Sequence, residues 1–200
     1  MPPTIDLTPP ADRMAELVGA IRDDQLGDPT PCEQYTLGDL VDHIGSLSVA
    51  FAAAATKDLG PLTAQPPDPD AAHLGPDWRT RVPRELAALA AAWRIPAAWE
   101  GMTQVGGIDL PGEAAGAVAL NELVVHGWDI ARASGQAYDC DPEMLRATLP
   151  FVTEMAATRD EAATDGLFGP AMPVPDSAPL LDRVIGLTGR DPAWQARSRH

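Results

Sequence analysis

Glu122 and His126 stand four residues apart in the segment Asn121-Glu122-Leu123-Val124-Val125-His126-Gly127-Trp128-Asp129. On a helix that spacing puts them one above the other on a single face. Val118, Ala119 and Ala133 share the face, which marks it as a core face, and a carboxylate there needs a partner. A second anomaly lies upstream, where His43 sits between Leu40 and Leu47 in an apolar stripe that should point inward. A lone histidine in such a stripe is ordinarily a hydrogen-bonded core residue. Two histidines and a glutamate converging from two helices are a different matter. Two imidazoles and one carboxylate suit divalent zinc, nickel or iron and leave positions open for water or substrate. The open position is what would make such a site chemical rather than structural.

Asp129, three residues beyond His126, has two readings: an acceptor that orients the imidazole, or a solvated acid in the last turns of the helix. Trp128 reads as packing. Cys32, in Pro29-Thr30-Pro31-Cys32, lies just ahead of a helix whose amides could lower a thiol pKa, although a small buried hydrophobe is the stronger reading. His73 and His200 read as solvated. The chain has no G-x-G-x-x-G after a strand, no P-loop, no G-x-S-x-G elbow and no paired C-x-x-C, so nucleotide enzymes, serine hydrolases and zinc fingers lack support. No further side chain stands out as catalytic or cofactor-binding.

Helices must position these groups. A first pattern opens after Thr8 with two prolines, which a helix start tolerates, and carries Met14, Leu17, Val18 and Ile21 on one stripe. A second is capped by Thr36 with Asp39 three residues later, bears Leu37, Leu40, Ile44, Leu47 and Phe51, and should end near Lys57. From Asp58 to Pro76 the chain is proline-rich and aperiodic and should cross the surface. A third helix is expected over Asp77 to Arg94, stopped by Pro96, and a small hairpin around Gly106-Gly107. The helix that carries Glu122 and His126 should run from Gly112 to Ser134 and stop at Gly135. A fifth should extend from Asp141-Pro142 to about Ala163, and a short amphipathic one should follow Pro179. The last ten residues read as frayed. These elements amount to an all-α helical bundle with peripheral additions.

Composition narrows the partners. The 200 residues carry 29 acidic and 14 basic side chains, a formal charge of −15, and Lys57 is the single lysine. Such a field repels phosphate backbones and anionic lipid, so no nucleic acid and no membrane surface is expected as partner. The N-terminus has no basic segment followed by an apolar core, and the longest unbroken apolar run is the eight residues Leu86 to Trp93; neither export nor membrane insertion is expected. Two cysteines are too few for a disulfide framework and fit a reducing, cytoplasmic setting.

Three stretches together resemble a known family. They are Pro29-Thr30-Pro31-Cys32-Glu33-Gln34-Tyr35-Thr36 with Leu40 and His43, Glu122-Leu123-Val124-Val125-His126-Gly127-Trp128-Asp129-Ile130-Ala131-Arg132-Ala133-Ser134-Gly135, and Leu180-Leu181-Asp182-Arg183-Val184. They are similar to the metal-binding, N-terminal domain of mycothiol-dependent maleylpyruvate isomerases, within the DinB-like superfamily. The resemblance implies a single DinB-like metal-binding domain over residues 1–200 with a core at about 8–190: a four-helix bundle with a small β-hairpin and extra C-terminal helices. It puts the metal ligands on His43, Glu122 and His126. It also implies a divalent cation, zinc first and nickel or iron next, with mycothiol as thiol cosubstrate and a small electrophile as substrate. Pairing into a homodimer through helix faces is a further implication. The isomerases carry a second, C-terminal α/β domain, and none is expected in this chain. The expectation is therefore a metal-dependent thiol S-transferase or isomerase-type enzyme, and the alternative is a non-catalytic metal-binding or regulatory module.

Overall fold

Thr36 starts the helix that carries His43. Its backbone is extended, its hydroxyl accepts a bond from the Asp39 amide at 3.2 Å, and the Asp39 carboxylate accepts one from the Thr36 amide at 2.9 Å. This reciprocal cap satisfies two amides that the helix itself leaves free. In the computed structural model, which describes residues 5–158 and 168–196, the order is α1 (Thr8–Gly19), α2 (Leu37–Thr56), α3 (Trp78–Trp93), β1 (Met102–Val105), β2 (Ile108–Pro111), α4 (Gly112–Ser134), α5 (Pro142–Thr158) and α6 (Leu180–Leu187). Beyond Thr158, the span expected to continue to Ala163 lies outside the described residues.

The first four helices close a ring. α1 packs against α3 and α4, and α2 packs against the same two, so α1 faces α2 across the core and α3 faces α4. α5 lies on α4 and α6 on α5. One apolar cluster runs from Leu7 to Val184 and includes Leu40, Ile44, Phe51, Leu86, Trp93, Leu120 and Val124. By length and composition α2 could cross a membrane, with a mean hydropathy of 1.2, but 72% of that window is buried inside the bundle. Its apolarity serves the protein core.

The hairpin follows a 3-10 turn at Pro96–Trp99 and pairs antiparallel, Met102 opposite Pro111 and Val105 opposite Ile108. Gly106 and Gly107 have φ of 59° and 81°, the positive values that a tight two-residue turn demands at both positions. The connection from Asp58 to Pro76 lies along α2: the amides of Ala71 and Asp70 donate to Asp39 Oδ1 (2.8 Å) and Asp42 Oδ2 (3.3 Å). Its one short helical turn, Ala71–His73, is started by the Asp70 carboxylate accepting from the Ala72 amide at 2.8 Å.

The end of the chain differs from the sequence expectation. Trp194 packs against both apolar clusters, and Arg132 Nη2 donates to Pro192 O at 3.1 Å. Residues 190–194 are therefore docked, because an indole finds apolar contact there that a local pattern cannot reveal, and residues 197–200 lie outside the described residues. Thr36→Ala removes the cap that sets the start of α2. It should cost about 1 kcal/mol and lower Tm by about 2–4 °C in a thermal melt followed by circular dichroism.

Candidate metal centre

α2 and α4 bring the three side chains together. Glu122 Oε2 lies 3.0 Å from His126 Nε2 and 3.7 Å from His43 Nε2, and one ligand atom from each residue falls within 4.8 Å of the others. Their side chains are 8%, 9% and 12% exposed, so the cluster sits in the core, with His43 the most open of the three. The His43 and His126 rings meet edge to face at 5.1 Å, and the Tyr35 ring packs 5.4 Å from His43.

Asp129 decides what the cluster can do. It is fully buried, which removes the solvated-acid reading, and its Oδ2 lies 2.9 Å from His126 Nδ1. A proton on Nδ1 is held by that carboxylate, and the neutral ring then presents the Nε2 lone pair toward Glu122 Oε2. Two acceptors 3.0 Å apart repel each other. The arrangement is favourable only with positive charge at that point, supplied by a second proton or by a cation.

The ionisation of the metal-free cluster follows. Burial works against charge on His126, but the Glu122 carboxylate and the bond to Asp129 outweigh it and raise its pKa to about 9. Burial opposes the Glu122 charge too, yet the neighbouring imidazoles hold its carboxyl well below the usual range. His43 is pushed down, by burial first, and stays neutral at pH 7. Asp129 is held low against burial by Arg190 and His126. His43 Nδ1 is buried without a hydrogen-bond partner, and so is Glu122 Oε2 whenever His126 lacks its second proton. A buried carboxylate oxygen that depends on that one proton, faced by two imidazole nitrogens, is a donor set that fits a divalent cation in the proton's place.

The other singled-out residues fall as follows. Cys32 is half-buried and its thiol is raised to about 11 by burial, so it is protonated at neutral pH. The Thr30 hydroxyl shapes its loop through contacts with the carbonyls of Cys32 (2.8 Å) and Tyr35 (2.9 Å). Trp128 packs with Val125 and Ile185. His73 is 61% exposed and 3.5 Å from Asp42, and His200 lies outside the described residues. Sequence reasoning missed Arg190, which is 61 positions from the Asp129 it pairs with. The available signal was an arginine between the apolar residues of α6 and Trp194.

Fold and cluster together define a DinB-like helical bundle with a buried His-Glu-His group. The chain belongs to the mycothiol maleylpyruvate isomerase N-terminal domain family, whose family model matches residues 7–131. Two uncharacterised proteins from two strains of Mycobacterium tuberculosis are each 33% identical over 182 residues, 90% of this chain and 92% of theirs. Crystal structures of the mycothiol-dependent maleylpyruvate isomerase and of a histidine-to-alanine mutant of it share the fold, with TM-scores of 0.58 and 0.56 at 20% identity. The likeness covers 75% of this chain and 66% of the isomerase, so the chain spans about two thirds of that enzyme's length.

The pKa of His126 carries a stability prediction. Raised from 6.5 to about 9 in the folded state, it contributes stability that is full below pH 6.5 and lost as pH rises through 9. Metal-free protein should therefore show Tm falling between pH 6.5 and 9. Saturating zinc should remove most of that fall, because metal binding displaces the proton. A flat metal-free profile would mean that His126 is not charged.

Proposed function

We propose that this chain binds one divalent cation, zinc foremost, through His43, Glu122 and His126 and acts on a low-molecular-weight thiol, mycothiol by its family relation. The reaction class is thiol transfer to a small electrophile, or a thiol-dependent isomerisation. The observation that carries the reading is Glu122 Oε2, buried, facing both imidazole nitrogens and left without a donor unless His126 holds a second proton. A cation held there would supply a Lewis-acidic position at which a thiol loses its proton near neutral pH.

The chain's own residues do the rest. Asp129 holds the Nδ1 proton of His126 and so directs Nε2 inward, and the Glu122 charge offsets that of the cation. His43, the most open of the three at 12% side-chain exposure, marks the side from which a cosubstrate thiol would approach. Cys32, protonated at neutral pH, does not compete as a thiolate. In this role the chain acts as one domain.

Elemental analysis of protein purified without chelator or metal-affinity tag should give about one zinc per chain. His43→Ala and His126→Ala should each abolish stoichiometric binding, since two ligands seldom retain a catalytic zinc. A His43→Ala protein that binds zinc as tightly as the parent defeats the assignment. With metal in place, mycothiol and a panel of electrophiles should show conjugation or thiol-dependent isomerisation. Metal without turnover across the panel marks a non-catalytic metal-binding or regulatory module instead.

A further inference from the structure

The segment after α6 turns back onto α4 and reaches the far side of the cluster. Thr188 is fully buried, Gly189 takes a φ of 82° where an added Cβ would strike the Gly169 backbone at 2.5 Å, and Arg190 is 5% exposed. Arg190 Nη1 donates to Thr188 O at 3.1 Å. Its Nε lies 3.3 Å from both oxygens of Asp129, and Nη2 donates to Oδ2 at 3.0 Å. That Oδ2 is the oxygen bonded to His126 Nδ1. One carboxylate is thus gripped by a planar guanidinium on one side and orients an imidazole on the other.

We propose that Arg190 is a positioning residue for the cation site. By fixing Asp129 against His126 Nδ1 it keeps Nε2 turned toward Glu122 and His43, and it makes the C-terminal segment part of the site. The inference rests on the metal reading above. A guanidinium so near the cluster opposes a cation by its field, and its influence extends to Glu122 and Cys32. What it does for the site is therefore explained by what it holds. Arg190 also lies outside residues 7–131, the part matched by the family model.

Opposite signs separate positioning from a field effect. Removing a positive charge tightens cation binding if only the field matters, and weakens it if the grip on Asp129 matters. Zinc affinity of the full chain, from competition with a chromophoric chelator, and the visible spectrum of the cobalt(II)-loaded protein should be recorded for the parent, Arg190→Met, Arg190→Lys, Asp129→Asn and the Arg190→Met/Asp129→Asn double variant. Circular dichroism at the assay temperature checks each fold. Arg190→Met and Asp129→Asn should each weaken zinc about 10–100-fold and alter the cobalt spectrum. The double variant should be no weaker than the worse single, because both act along one path. Arg190→Lys keeps the charge but lacks the fork, and should remain weaker than the parent.

Arg190→Met binding zinc as tightly as the parent or more tightly overturns the proposal, as do losses that multiply in the double variant. Should Arg190→Met fail to fold, Arg190→Lys decides, and parental affinity overturns the proposal. A parent that binds no zinc defeats the metal reading and this inference with it, whereas a parent that binds zinc beside an unaffected Arg190→Met defeats this inference alone.

Discussion

A carboxylate buried in a helical core is the constraint around which this protein is arranged. Glu122 lies on the inner face of α4 among alanines, valines and leucines, and an ionised group there is costly unless compensated. The compensation comes from two directions: His126 one turn along the same helix, and His43 from α2. The bundle must therefore hold α2 at a set rotation against α4. The Thr36–Asp39 cap fixes where α2 begins, and the apolar positions Leu40, Ile44 and Phe51 fix which way it faces.

Charge alternates outward from that point. Glu122 faces His126, His126 bonds Asp129, and Asp129 pairs with Arg190. Each group is buried, and each is tolerable there because of the next. The sequence of signs also fixes a tautomer: the Nδ1 proton belongs to the Asp129 side, so Nε2 is the nitrogen available to a ligand. Such a chain ties together helix α4 and the chain's C-terminal segment, which share little else in sequence.

Membership of the isomerase N-terminal domain family agrees with this arrangement, and the likeness of fold to the solved isomerase covers about two thirds of that enzyme. In this chain the segment beyond α4 is used differently from a mere appendage. α5 and α6 extend the core, and the turn after α6 delivers Arg190 to Asp129. The described core is continuous from Leu7 to Val184.

Much of this was legible in the residues themselves. The E-x-x-x-H pair on an apolar face, the histidine in the stripe of α2, the Thr36 cap, the Gly106-Gly107 turn and the Gly135 stop are local patterns. Helical and hairpin periodicity is set by neighbours within a few positions, so sequence alone exposes it. The convergence of His43 with Glu122 could be argued from sequence only as two inward faces meeting. Whether Asp129 faced water or His126 was undecidable along the chain, because one helical turn offers both orientations. Arg190 showed only as an arginine flanked by apolar residues, since it gains meaning only from a carboxylate 61 residues away. Tertiary packing decided these points: burial makes an unpaired charge costly, and only the folded chain determines which distant group removes that cost.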